Sequence, residues 1–154
     1  MTQKNKKTYF LLSLLMLIFA INLSSAQQKA DKNNTQGEEI NFRNNTWKEV
    51  TAEAKKSGKY IFVDAYTSWC GPCKLLKSKT FKDKTAGVYF NKNFINYTID
   101  MEKGEGIQLT KNWQVNSYPS LLFFSPDGKM VLKQIGYIDG NGLIKLGQEA
   151  ITKK

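Results

Sequence analysis

A buried strand that leads directly into a helix carrying two cysteines is the feature that most constrains this chain. Residues 60–66 are rich in β-branched and aromatic side chains, which predicts a central strand covered on both faces. Cys70 and Cys73 follow within the stretch Trp-Cys-Gly-Pro-Cys, and a helix is expected to begin there and to end near Lys79. They are the only two cysteines among 154 residues. The sequence therefore places one close cysteine pair at a strand-to-helix junction.

This position favours a reactive thiolate at Cys70. The thiolate is the form that attacks disulfides, and the free N–H groups and dipole at a helix N-terminus lower the pKa of a cysteine from about 8.5. Gly71 permits a tight approach of strand to helix, and Pro72 suits the first turn because its missing N–H costs nothing there. With Trp69 covering one side of the sulfur, we expect Cys70 to be the exposed nucleophile and Cys73 the resolving thiol.

Two other uses of the cysteine pair remain open. The C-x-x-C spacing also suits zinc, but the chain has no histidine and no third cysteine, so such a site would need carboxylates or a second chain. An inert structural disulfide is the other alternative. It would close so small a ring that the unfolded chain would lose little entropy. We therefore expect redox chemistry by the thiols themselves, with no metal and no cofactor.

The first 26 residues have the order of a secretory signal peptide. Three lysines precede an apolar run over residues 9–21, and small residues follow up to Ala26, after which cleavage is expected. An uncleaved membrane anchor is the alternative, although the run is shorter than the ~20 residues needed to cross a bilayer. The mature protein is expected to be periplasmic or otherwise exported.

The rest of the chain predicts a tether and one domain. Residues 27–39 are polar and predict a flexible linker, and residues 40–154 predict a single α/β domain. In that domain strand-like and helix-like segments alternate before a hairpin and a last helix, which favours a mixed sheet flanked by helices on both faces. Strands are expected at 60–66, 94–100, 120–124 and 129–136, and helices at 46–57, 71–79, 83–90, in a segment ending near 113, and at 139–151.

The charge pattern argues against a nucleic-acid partner. The net charge is +10, but the lysines are scattered and Arg43 is the only arginine. A nucleic-acid binder is expected to show a basic stripe interleaved with arginines or exposed aromatic side chains. A solvated, lysine-rich surface is the simpler interpretation.

From Ile40 to about Ile151 the sequence resembles the thioredoxin superfamily. Asp64 stands at the family's spacing before the cysteine motif, residues 117–120 resemble its cis-proline loop, and Gly136 matches the glycine after its last hairpin strand. Residues 79–83 are similar to the C-terminal periplasmic domain of a membrane thiol–disulfide transporter and its stand-alone relatives. The resemblance implies the thioredoxin fold.

The resemblance also implies roles for particular residues. Asp64 would accept the proton of Cys73, and burial would raise its pKa toward the working range. The Tyr118–Pro119 bond would be cis and would expose the backbone of Tyr118 to an extended substrate. One departure concerns Asn96, which stands where cytoplasmic thioredoxins carry a lysine that pairs with the buried aspartate.

Taken together, these features predict an exported thiol–disulfide oxidoreductase. Its expected partners are disulfides of extracytoplasmic proteins, bound around Trp69, Gly71, Pro72 and Tyr118–Pro119, and a membrane protein that supplies electrons. The dipeptide between the cysteines resembles that of the reducing members, whereas export into an oxidising compartment favours an oxidant or isomerase. A binding or chaperone-like module without turnover is a further alternative. We expect a monomer.

Overall fold

The computed structural model describes residues 39–153, so the expected signal peptide and nearly all of the expected linker lie outside the described residues. Within this range the chain forms four strands, five α-helices and one short 3-10 helix. The strands are β1 (Tyr60–Tyr66), β2 (Phe94–Asp100), β3 (Ser120–Phe124) and β4 (Met130–Ile135). The α-helices are α1 (Trp47–Ser57), α2 (Gly71–Ser78), α3 (Lys84–Asn93), α4 (Gly106–Asn112) and α5 (Gly140–Thr152), and the 3-10 helix covers Thr80–Lys82.

The four strands form one mixed sheet in the order β2-β1-β3-β4. Strands β1 and β2 are parallel, and the other two pairs are antiparallel. In this register Asp64, near the end of β1, lies between Thr98 of β2 and Leu121 of β3. The strand that leads into the cysteine motif is therefore an inner strand, with neighbours on both sides.

Short-range signals in the sequence set the ends of the helices. Thr46 and Glu49 form a reciprocal capping box at the start of α1, and Gly58 ends that helix with a φ of 69°. The carboxyl of Asp83 caps α3 by accepting from the backbone N–H of Ala86. Asp139 caps α5 in the same way. These caps satisfy N–H groups that a helix start leaves without a partner.

The helices cover both faces of the sheet, as expected. Helices α1 and α4 pack on one face, around Val63 and Ile99. Helices α2, α3 and α5 pack on the other, where Phe62 and Phe123 lie at the centre of an apolar cluster. Because side chains alternate along a strand, Asp64 projects to the same face as Phe62, the face that α2 covers.

The predicted thioredoxin fold is confirmed, and strands β1, β2 and β3 have the predicted bounds. The 3-10 helix was not predicted, and the helix expected to end near residue 113 begins at Gly106. A side chain there is excluded, since a Cβ at Gly106 would lie 2.1 Å from the backbone oxygen of Asp100. Among the helices of residues 39–153, none has the length and apolarity needed to cross a membrane.

Candidate active site

Cys70 and Cys73 are joined by a disulfide at the start of α2. Cys70 is the N-cap residue of the helix, and the backbone N–H of Cys73 donates to its sulfur over 3.1 Å. Pro72 occupies the first turn, where a missing N–H is harmless. In the reduced protein the same N–H and the helix dipole would stabilise negative charge on Cys70, as the sequence predicts.

The expectation that Cys70 is an exposed side chain is wrong. Its relative exposure is 3%, compared with 1% for Cys73. In the oxidised protein the Cys70 sulfur is bonded to that of the buried Cys73 and also accepts the N–H of that residue, which holds the side chain against the first turn of α2. The exposed neighbour is Trp69, at 64%.

Trp69 is held beside the disulfide by two other loops. Its indole Nε1 donates to the Glu102 carboxylate, with both oxygens at 3.0 Å. Its ring meets the ring of Tyr118 edge-on, with centroids 5.9 Å apart. An amphipathic ring with one satisfied polar atom and a largely exposed face is suited to contact with another protein.

The loop that contains Tyr118 is itself anchored to the sheet. The Tyr118–Pro119 peptide bond is cis, as the resemblance implies. The carbonyl oxygen of Pro119 accepts a hydrogen bond from the backbone N–H of Gly136 over 2.9 Å, and Gly136 has a φ of 95°. The ring contact thus brings Trp69 together with Tyr118, and the next residue, Pro119, is held by Gly136.

Asp64 is fully buried beneath this surface. Its Oδ2 accepts from the hydroxyl of Thr98 over 2.9 Å, whereas its Oδ1 has no hydrogen-bond partner. Both residues line a cavity of about 270 Å³, together with Lys77 and others. Burial raises the pKa of Asp64 to about 6, while the positive charge of Lys77 and the Thr98 hydrogen bond act in the opposite direction. A carboxyl in this range can take up and release protons near neutral pH.

Lys77 was missed by the sequence analysis. It lies four residues after Cys73, on the same side of α2, and its Nζ is 3.0 Å from the centroid of the Tyr66 ring. The amide of Asn96, in contrast, donates to Asn91 Oδ1 and to the backbone oxygen of Asn41, and no hydrogen bond joins it to Asp64. The cation next to the buried carboxyl therefore comes from the helix. The sequence signal that could have identified Lys77 is its spacing of four residues from Cys73, which places both side chains on one side of α2.

The chain matches the thioredoxin-like domain family over residues 47–151 and belongs to that family. It is 32% identical over 93 residues to a thioredoxin of Mycoplasmoides gallisepticum, covering 58% of this chain and 83% of that protein. It is 30% identical over 136 residues to the thiol:disulfide interchange protein DsbD of Colwellia psychrerythraea, covering 80% of this chain. It spans only 22% of the length of that DsbD.

Solved structures agree with this assignment. The solution structure of a proposed disulphide-isomerase from Bacteroides thetaiotaomicron is 39% identical, with a TM-score of 0.67, and the match covers 77% of this chain and 98% of that one. The reduced C-terminal domain of DsbD from Neisseria meningitidis shares the fold, with a TM-score of 0.57 at 20% identity and coverage of 67% and 92%. The resemblance inferred from the cysteine motif and its surroundings is confirmed.

The raised pKa of Asp64 predicts how stability depends on pH. The folded state holds the proton more tightly than the unfolded chain, so this stabilising contribution is complete below the ordinary aspartate value of 3.8 and is lost as pH rises through about 6. Asp64→Asn cannot ionise. Relative to the wild type, its free energy of unfolding should therefore increase by about 2 kcal/mol between pH 4 and pH 8, as measured by urea denaturation of the oxidised proteins.

Asp127→Asn is the matched control, because the hydrogen bond from Ser125 lowers the pKa of that exposed carboxyl. Its stability relative to the wild type should change in the opposite direction, but mainly below the ordinary aspartate value of 3.8, so it should stay nearly constant between pH 4 and pH 8. A stability difference between Asp64→Asn and the wild type that does not vary with pH would contradict a raised pKa.

Proposed function

We propose that the protein is an exported thiol–disulfide oxidoreductase that reduces disulfides of extracytoplasmic proteins through Cys70 and Cys73. The observation that carries the proposal is the placement of the Cys70 sulfur at the start of α2, where it accepts the N–H of Cys73, its disulfide partner. A buried carboxyl with a free oxygen lies on the sheet face that the same helix covers. This arrangement supplies an activated nucleophile, a second thiol and a proton acceptor.

The reaction proceeds in two exchanges. The Cys70 thiolate attacks one sulfur of the substrate disulfide, the substrate bond breaks, and the other substrate sulfur leaves as a thiolate. Cys73 then gives its proton to Asp64 and attacks the Cys70 sulfur. This step releases the second substrate thiolate and forms the Cys70–Cys73 disulfide. The substrate gains two electrons, and a membrane-bound electron donor is proposed to return them to the enzyme.

The surface around the disulfide supports binding of an extended segment of the substrate. Trp69 is the large exposed side chain next to the cysteines, and it contacts the ring of Tyr118. Gly71 leaves open space, since no atom beyond its chain neighbours and its own helix backbone lies within 4 Å of where its Cβ would be. We propose that the substrate backbone pairs with Tyr118, next to Pro119, while the apolar rings contact the side chains that flank its cysteine.

Isomerisation of exported disulfides is the second candidate. The observation that favours it is the 39% identity to the proposed disulphide-isomerase of Bacteroides thetaiotaomicron. Gly71 and Pro72 between the cysteines support the reducing direction, because this dipeptide resembles that of the reducing members of the superfamily. Both candidates use the same mixed disulfide with Cys70, and both are proposed to act as monomers.

The two cysteines should respond differently to substitution. Cys70→Ser should abolish reduction of a protein disulfide, because it removes the nucleophile, whereas Cys73→Ser should accumulate mixed disulfides that it cannot resolve. Non-reducing electrophoresis and mass spectrometry of trapped partners measure both effects. A module that only binds partners would retain them equally in both variants, and mixed disulfides formed through Cys73 in Cys70→Ser would reverse the assigned roles.

The proposed base predicts a selective kinetic defect. Asp64→Asn should slow resolution of the mixed disulfide by about 100-fold, because general-base assistance typically contributes at least that much. The first attack should hardly change, since Cys70 depends on the helix terminus rather than on Asp64. Stopped-flow measurement separates the two steps. Equal slowing of both steps, or no slowing of either, would exclude this role.

Export is proposed from residues 1–26, whose basic start, apolar run and small residues favour cleavage after Ala26. N-terminal sequencing of protein recovered from the cell envelope should begin at Gln27. A chain that still begins near Met1 and is released only by detergent would instead indicate a membrane anchor.

A further inference from the structure

Lys77 occupies an unusual position for a lysine. It is in the last turn of the active-site helix α2, yet its side chain is only partly exposed and its Nζ lies over the face of Tyr66, the last residue of β1. A fully hydrated ammonium would extend into solvent, so contact with an aromatic face holds this one back against the sheet. Its position one turn beyond Cys73 places it on the side of the helix that also presents the resolving thiol.

Lys77 and the buried carboxyl of Asp64 line the same cavity. Asp64, Thr98 and Lys77 all line this space of about 270 Å³, which is large enough to hold water. Thr98 satisfies Oδ2 of the carboxyl and leaves Oδ1 without a partner in the same region. Apolar walls are supplied by Ile40, Phe42 and Phe81. A charge placed at the edge of such a cavity acts on the carboxyl with less screening than in open solvent.

Other ionisable groups around Asp64 are few, and most are acidic. Glu39 lines the cavity, and Asp100 lies two residues beyond Thr98 on β2, where its Oδ2 is paired with Lys103 Nζ at 3.2 Å. Tyr66 is neutral, and burial raises its pKa further. Among the described groups that act on Asp64, Lys77 is the positive one.

We propose that Lys77 is a positioning residue for the resolving step: from α2 it places a positive charge at the cavity beside Asp64 and keeps that carboxyl in the ionised form that accepts the proton of Cys73. The inference rests on the proposed function and deepens it. In the step concerned, the proton moves from the Cys73 sulfur to Asp64. The Cys73 thiolate then forms a bond to the Cys70 sulfur, and the bond from Cys70 to the substrate breaks. Lys77 itself neither gains nor loses a proton or an electron in this step.

The direct test is the titration of the Asp64 carboxyl carbon by ¹³C NMR in the oxidised protein, where no turnover is needed. Lys77→Met should raise the pKa of Asp64 by about one unit, the size of shift expected for loss of a nearby opposite charge. Lys77→Arg should retain the wild-type value, because the charge is kept. Lys77→Gln provides a second neutral variant, in case methionine repacks against Tyr66. An unchanged Asp64 titration in both neutral variants would overturn the proposal.

The kinetic test follows from the same shift. With the pKa of Asp64 near 6 in the wild type, Lys77→Met should slow resolution about fivefold at pH 6, and the two rates should converge near pH 8.5. Lys77→Arg should match the wild type throughout. Lys74→Met removes a charge from an exposed position on the same helix and should leave both the titration and the rate profile unchanged. Slowing that is equal at all pH values would indicate a merely structural role and overturn the proposal.

A double variant separates this inference from the proposed function. If Asp64→Asn slows resolution, adding Lys77→Met should cause no further pH-dependent slowing, because the group on which Lys77 acts is gone. If Asp64→Asn leaves resolution unchanged, the assignment of Asp64 as the base fails, and the role of Lys77 in that step fails with it. The NMR titration still shows in that case whether the two side chains are coupled.

Discussion

Burying the carboxyl of Asp64 in the middle of a sheet costs free energy that its surroundings only partly return. One hydrogen bond from Thr98 satisfies one oxygen, the other oxygen has no partner, and the nearest compensating charge acts across a cavity from Lys77. Apolar packing alone would favour a hydrophobic residue at this position. A carboxyl maintained there at a cost to stability is the pattern expected where protons must be exchanged near neutral pH.

The topology brings the remaining groups to that carboxyl. The parallel register of β1 and β2 sets Thr98 directly opposite Asp64, and the chain then turns from the end of β1 into α2 within a few residues. One helix therefore presents Cys70 at its N-terminus, Cys73 in its first turn and Lys77 in its last turn. The loops carrying Trp69 and Tyr118 meet through the contact between their rings.

The sequence predicts the scaffold better than the electrostatics. The strand at 60–66 and the helix starts at Thr46 and Asp139 are encoded within a few neighbouring residues, by β-branched runs and capping side chains, so local patterns identify them. The contact of Lys77 with Tyr66 depends on how α2 packs over the sheet, which no local pattern records. The burial of Cys70 was missed for a related reason, because it depends on how the Cys70–Cys73 disulfide packs in the folded domain.

The short segment before α1, residues 39–43, is bonded to the folded domain and contributes to the cavity next to Asp64. Ile40 donates its backbone N–H to Phe81 at 2.8 Å, and Arg43 donates to Asn96 at 2.8 Å, which lays residues 39–43 along the flank of the sheet. Glu39, Ile40 and Phe42 form one wall of the cavity next to Asp64, although the family match starts only at Trp47. A chain shortened to the matched region would keep every residue of the cysteine motif and yet open the aspartate to bulk water, moving its pKa back toward that of an ordinary carboxyl. The wall of the Asp64 cavity thus includes residues that lie upstream of the region matched by sequence similarity.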